Sequence, residues 1–165
     1  MTKTEDALKA AFAGESQANR KYTAFAAQAE KDGYHQAARL FRAAAEAEAI
    51  HASNHLRALK TIKATKENLR EAIAGETHEF KEMYPEMIAT ARAEGARDAE
   101  QTLSYANAVE EYHARLYHEM LDGLEANKES YPYFVCPVCG MTVEREAPEK
   151  CPVCGVMGSM FKKMD

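Results

Sequence analysis

The first 135 residues of this 165-residue chain contain no cysteine, and all four cysteines fall between Cys136 and Cys154. That excludes a disulfide framework spread through the chain, and it points to two domains: a helical one over residues 1–130 and a small metal-ligating one over residues 131–165. Long apolar runs are missing as well, so no segment approaches the length needed to cross a bilayer. The opening stretch Met1-Thr2-Lys3-Thr4-Glu5-Asp6 carries acidic residues where a secretory signal would be apolar, and a soluble, cytoplasmic protein without a membrane partner is expected. In a reducing compartment, cysteines paired with two residues between them are metal ligands more readily than disulfides. There is no basic tract, and a net charge of -5 argues against nucleic acid as a partner.

What the chain does have is Ala, Glu, Lys, Arg and Leu in helical periods. Helices are expected from about Thr4 to Asp32, ended by Gly33, and from His35 to Leu59. Two more should run from Lys66 to Glu94, followed by Gly95, and from Arg97 to Ala126. Pro85 lies inside the third and should kink or locally widen it. Asn127 to Tyr133, with Pro132, reads as a linker. On these helices acidic residues and histidines recur as Glu15, Glu48-x-x-His51, Glu76-x-x-Glu79 and Glu110-x-x-His113. A spacing of three puts both side chains of a pair on one helix face. Two helices giving Glu and two giving Glu-x-x-His is the ligand set of a carboxylate-bridged di-iron centre inside a four-helix bundle.

Repetition gives the pattern its weight. Ala11-Phe12-Ala13-Gly14-Glu15-Ser16 returns 61 residues later as Ala72-Ile73-Ala74-Gly75-Glu76-Thr77, and His51 and His113 stand 62 apart. Two copies of one helical hairpin are a route to two equivalent metal positions. Small neighbours, as in Ala43-Ala44-Ala45-Glu46-Ala47-Glu48-Ala49, leave room for a metal pair. Five carboxylates and two imidazoles directed at one core make little sense without a cation. Glu46 and Glu111 neighbour ligands but face about 100° or more away. His35, His55, His78 and His118 read as surface or packing residues, His55 being the one that lies a turn beyond His51. Met83, Met87, Met120 and the tyrosines other than Tyr22 and Tyr84 read as filler.

Cys136-Pro137-Val138-Cys139-Gly140 and Cys151-Pro152-Val153-Cys154-Gly155 are two knuckles that bring four thiolates to one tetrahedral ion. The ligands alone fit either zinc, in a structural ribbon, or a single iron. Beside a di-iron bundle, which needs single electrons, iron is the better match.

On these Gly-Glu hairpins, Glu-x-x-His pairs and paired Cys-Pro-Val-Cys-Gly knuckles, nearly the whole chain resembles the rubrerythrin family. The resemblance implies an all-α ferritin-like four-helix bundle followed by a small rubredoxin-like four-cysteine domain. It implies a non-haem peroxidase that reduces hydrogen peroxide to water in oxidative-stress defence. Its cofactors would be two non-haem irons and one iron on Cys136, Cys139, Cys151 and Cys154, with zinc able to replace iron in a given preparation. By position, Glu48 and Glu110 would bridge, Glu76 and His113 would be terminal on one iron, and Glu15 would be terminal on the other. That second iron would take His51 when reduced and Glu79 when oxidised, since an anionic ligand favours ferric charge. Tyr22 and Tyr84 match tyrosines that steady ligating carboxylates in the family. The implied electron donor is a rubredoxin or a flavoprotein reductase. Two features depart from the pattern: 11 residues separate the knuckles, and Met141 stands where relatives often carry an aromatic.

Competing readings are iron oxidation and storage, against which the four-cysteine tail argues because storage needs no electron feed, and a di-iron protein whose tail is only a zinc ribbon. Chain reach adds an expectation about assembly. In a ferritin-like bundle the second and third helices run parallel, and Lys60 to Thr65 is too short for the return, so a homodimer or higher homo-oligomer is expected, with bundles completed across two chains. The four-cysteine domain is expected to dock against a di-iron site across a subunit contact.

Overall fold

The computed structural model describes residues 2–126 and 128–165; Asn127, the first residue of the expected linker, lies outside the described residues. The chain has the expected fold class, four long helical stretches followed by a small strand domain carrying the cysteines. It divides into two compact units, residues 1–63 and 64–165.

The first unit is a hairpin of α1, Lys3–Lys31, and α2, His35–Leu59. Helix α1 begins one residue earlier than its apolar stripe indicates because Thr2 and Glu5 form a capping box. The Glu5 amide donates to Thr2 Oγ1 at 3.2 Å, and the Thr2 amide donates to Glu5 Oε2 at 2.7 Å. The hairpin turns at Gly33, whose φ of 82° is open to glycine at little cost. There the Tyr34 amide reaches back to the Ala29 carbonyl at 2.8 Å, closing the helix end. Ala26, Ala29, Ala38, Ala45 and Ala52 are its buried residues, so the two helices approach closely along a seam of methyl groups. Across it Asn19 donates Nδ2–H to the Ala45 carbonyl at 2.7 Å.

The second unit repeats the hairpin. Helix α3, Thr65–His78, runs through a π-helical turn, Glu79–Met83, into α4, Tyr84–Ala93, and turns at Gly95 into α5, Arg97–Gly123. At that turn the Ala96 amide donates to the Ala91 carbonyl at 2.9 Å, the counterpart of the Tyr34 contact. The expected third helix is thus widened rather than uniform. The Tyr84 amide reaches the Glu79 carbonyl five residues back. Pro85 follows immediately; its ring cannot sit against the preceding turn of a regular α-helix. The repeat locates the extra residue. Gly95 lies 62 positions after Gly33, but Glu76 only 61 after Glu15, so the second copy holds one more residue between glutamate and glycine. A π turn absorbs such an insertion without breaking the helix.

After α5 the chain enters the four-cysteine domain, a three-stranded antiparallel sheet in the order β2-β1-β3. Its strands are β1, Tyr133–Val135, β2, Thr142–Glu144, and β3, Lys162–Met164, with Phe134 opposite both Val143 and Lys163. Tyr133, expected in the linker, opens β1. Just before it, Arg145 binds Glu129 bidentately at 2.6 and 2.8 Å and stacks on the Tyr131 ring. The domain packs on α5 of its own chain. Val109, with Tyr112 beside it, joins one apolar core with Cys136, Met141, Cys151 and Phe161. Met141 is 2 % exposed and fills the core under the knuckles.

Replacing Gly33 with Ala should leave the helices intact and lower stability by about 1–2 kcal/mol, because no atom lies near the new methyl and only the left-handed backbone is strained. Denaturant unfolding monitored by circular dichroism checks this.

Candidate metal centres

Each hairpin gathers its own share of the expected ligands. In the first, oxygen and nitrogen atoms of Glu15, Glu48 and His51 lie within 4.8 Å of one another, and in the second so do those of Glu76, Glu110 and His113. The two clusters repeat in detail. His51 turns Nδ1 to Glu48 Oε2 at 2.8 Å, and His113 turns Nδ1 to Glu110 Oε2 at 2.7 Å. The three-residue spacing imposes this, since it stacks the ring directly over the carboxylate one turn below. In the second cluster Glu76 Oε1 is 3.8 Å from the same Nδ1.

Electrostatics show what the second cluster lacks without a cation. Burial first, and then the negative charge of Glu110, push the Glu76 carboxyl up to about 7, against the pull of His113. Burial also raises Glu110, partly offset by its hydrogen bond from Glu76. Below about pH 7 one proton is therefore held by the pair rather than by either residue. A divalent cation would replace that proton and meet the ring nitrogen's lone pair, so the donor set fits a metal. The ligand atoms lie within 4.8 Å of one another, little more than the roughly 4 Å that separates opposite ligands with bonds of about 2.1 Å.

Glu79 is half-buried and outside this three-residue cluster, but its charge reaches it. It contributes to raising Glu76 and Glu110. It opens the π turn, where the extra residue of the second repeat is accommodated. Tyr84 closes that turn; burial, then the charges of Glu110, Glu79 and Glu76, raise its phenol. Tyr22 has different company. Its ring packs 6.2 Å from both Phe25 and Phe41, and among the described residues its hydroxyl makes no hydrogen bond to a carboxylate. Of the histidines set aside on sequence, His35 pairs with Glu30 and His78 with Glu82 on exposed faces, His118 is exposed, and His55 is half-buried outside the clusters. Glu46 and Glu111 are exposed.

Two residues that sequence reasoning passed over face this site. Burial, then the charges of Glu76 and Glu110, raise the Tyr117 phenol. The signal was available: Glu110, His113 and Tyr117 follow one helical stripe. Thr142 is the other, its Oγ1 3.0 Å from His113 Nε2. It comes from β2, and no local spacing relates it to α5. Both residues line a cavity of about 280 Å³ beside His113, together with Leu69, Leu116, Met120 and Tyr133.

The four cysteines converge. Cys136 Sγ lies 3.5 Å from Cys154 Sγ, and Cys139 Sγ lies 3.5 Å from Cys151 Sγ. Tetrahedral edges of about 3.8 Å follow from metal–sulfur bonds of about 2.3 Å, so the thiols fit one ion. The knuckles are built alike: Gly140 donates to the Cys136 carbonyl and Gly155 to that of Cys151, while Cys136 and Cys151 donate to the carbonyls of Met141 and Val156. Burial alone would raise the Cys151 thiol, but the amides of Cys154 and Val153 outweigh it and bring it down to about 7. Burial pushes Cys139 well up.

A family model described as Rubrerythrin matches residues 6–121, and one described as Rubrerythrin, rubredoxin-like domain, matches residues 134–162. Rubrerythrin-2 of Clostridium acetobutylicum is 38 % identical, covering 96 % of this chain and 95 % of its own. The chain belongs to the rubrerythrin family. Nigerythrin of Nitratidesulfovibrio vulgaris is 36 % identical over 92 % of this chain and 81 % of its own. A solved nigerythrin in a partially reduced state superposes with a TM-score of 0.61 at 34 % identity, covering 99 % of this chain and 88 % of that one. Another, fully reduced and all-ferrous, gives 0.59 at 33 % identity, with coverage of 99 % and 88 %. As a rubrerythrin-family member the chain is an oxidoreductase of the di-iron, oxidative-stress class, with a carboxylate site and a four-cysteine site. No helix among the described residues is long and apolar enough to cross a membrane.

The Glu76 carboxyl gives a pH signature to the metal-free protein. Its folded value of about 7 lies above the ordinary value of about 4.3. The folded chain thus keeps a proton the unfolded chain releases, which stabilises fully below about 4.3 and is lost as pH rises through about 7. The variant E76Q, always neutral, should gain stability relative to the parent from pH 5 to pH 8. Paired urea unfolding curves of the metal-stripped proteins measure the difference.

Proposed function

We propose that this protein is a non-haem di-iron peroxidase, reducing hydrogen peroxide to water with electrons relayed through the C-terminal four-cysteine iron. The observation that carries the reading is the pairing of two Glu-Glu-His clusters with a four-thiolate tetrahedron whose domain packs on the helix bearing one of those clusters. Iron storage has no use for such an electron port. When bound, the irons supply the two electrons that split the peroxide O–O bond and the single electrons that restore the pair.

The chain's own residues hold and tune that chemistry. When the ions are bound, Glu48 and Glu110 would be shared between them, Glu76 and His113 would hold one and Glu15 the other. His51 and Glu79 would exchange on the second, the neutral ring suiting lower charge and the carboxylate higher charge. The π turn widens the helix at Glu79 while its amide still bonds Gly75 and its carbonyl accepts from Tyr84, which gives its carboxylate room to shift without unwinding α3. Tyr84 offers its phenol proton to a ligating carboxylate; Tyr22, whose ring packs on Phe25 and Phe41 within its own chain, would reach one only in a bundle completed by the partner chain. A rubredoxin or a flavoprotein reductase is the donor to Cys136, Cys139, Cys151 and Cys154.

The working unit is a homodimer whose bundles each combine the first hairpin of one chain with the second of its partner. Chain reach supports this. In a parallel arrangement, α2 continues about 17 Å beyond Glu48 and α3 starts about 17 Å before Glu76, at about 1.5 Å per residue. Lys60 to Ala64 must then return over about 33 Å, but extends to only about 21 Å between helix ends. Exposed apolar residues on the first hairpin, Phe25 at 47 % and Ile50 at 52 %, suit burial against further helices.

Replacing Glu79 with Ala should slow peroxide turnover by about 10- to 100-fold, in the range seen for lost tuning partners, with metal content retained. Unchanged turnover removes Glu79 from the mechanism. Co-assembly of E48Q chains with E110Q chains tests the dimer. Exchanged bundles leave one intact bundle in every mixed dimer and restore activity to two inactive parents; bundles made within one chain each keep a lesion and restore none.

A further inference from the structure

The hydrogen bond between His113 and Thr142 has a direction that the surrounding chain decides. Thr142 Oγ1 lies 3.1 Å from the Gly140 carbonyl and 3.0 Å from His113 Nε2. A hydroxyl has one proton, and a carbonyl can only accept, so the proton goes to Gly140. Toward the ring the same oxygen accepts, which puts a proton on Nε2. Nδ1 is then the nitrogen left to bind metal; in the metal-free chain its 2.7 Å contact with Glu110 Oε2 holds a proton, which a cation would replace, and Glu76 Oε1 lies 3.8 Å off.

We propose that Thr142 is the positioning residue of the α5 metal cluster, accepting the Nε2 proton of His113 and so presenting Nδ1 to the metal. The inference rests on reading His113 as a ligand. It makes the four-cysteine domain a structural part of the carboxylate site. Thr142 follows Met141, which is buried under the knuckle and accepts the Cys136 amide, and Gly140, which donates to the Cys136 carbonyl. Folding of the knuckle therefore sets where the hydroxyl stands. Ligating histidines are commonly oriented by a carboxylate, carbonyl or water on the far nitrogen. Here a side chain from another domain performs that task, and the first-hairpin histidine, His51, has no counterpart to Thr142 among the described residues.

Full-length protein loaded with zinc at every site is diamagnetic and permits a direct test by NMR. We expect a slowly exchanging ring N–H on Nε2 of His113, with Nδ1 bound to metal, in the parent and in T142S, which keeps the hydroxyl. In T142V, matched in shape but without it, that proton should exchange freely, and zinc affinity of the Glu76–Glu110–His113 cluster should fall by about 10- to 100-fold. Metal on Nε2 in the parent overturns the proposal even where T142V fails to fold. So does a T142V protein with a protected Nε2 proton or unchanged affinity, or equal losses in T142S and T142V. The measurement uses neither peroxide nor iron. Its failure leaves the peroxidase reading standing, and an inactive protein with a protected Nε2 proton leaves Thr142 in its role.

Discussion

Carboxylates forced together by the packing of paired helices, in a place water only partly reaches, are the constraint on which the rest of the structure depends. Below about pH 7 Glu76 and Glu110 do not both ionise there; burial first, and then the charge of Glu110 on Glu76, leave them holding a proton. A cation relieves the arrangement, and the surroundings conform to that need. Alanines line the hairpin seams so that helices approach closely enough for ligands to converge. Each glutamate–histidine pair occupies adjacent turns of one helix, so its geometry is set by the helix itself. The same solution is used twice, and the turns at Gly33 and Gly95 show that the duplication extends to the backbone.

Where the copies differ, the difference falls at chemistry. The second hairpin carries one residue more than the first between its first glutamate and its glycine turn. That residue is taken up by the π turn that begins at Glu79 and ends against Tyr84 and Pro85. The second hairpin also has Thr142 behind its histidine. A duplicated scaffold has thus acquired asymmetry at two points, one beside the carboxylates and one behind the ring.

Local chemistry made most of this legible in advance. The helix ends at Gly33 and Gly95, the clustering of Glu15, Glu48 and His51 and of Glu76, Glu110 and His113, and the four-cysteine site all follow from spacing of residues close in sequence or from an internal repeat. The widened third helix was foreseeable from Pro85, though placing the π turn at Glu79–Met83 required comparing the two repeats residue by residue. Thr142 was not legible, because it lies 29 positions beyond His113 and meets it only through the packing of Val109 and Tyr112 on the knuckle core. Tyr22 shows the opposite limit. Its position in the chain suggests a carboxylate partner, whereas its ring lies among Phe25 and Phe41, where apolar contact is available.

The central claim is that the carboxylate and four-cysteine sites act as one peroxide-reducing system. It is tested most directly by reducing the iron-loaded protein anaerobically, adding one equivalent of hydrogen peroxide per carboxylate site, and following the red absorption of thiolate-bound ferric iron. Rapid return of the red colour as peroxide is consumed is the expected outcome. A four-cysteine site that stays reduced while the carboxylate site oxidises would contradict it and make iron oxidation or storage the better description.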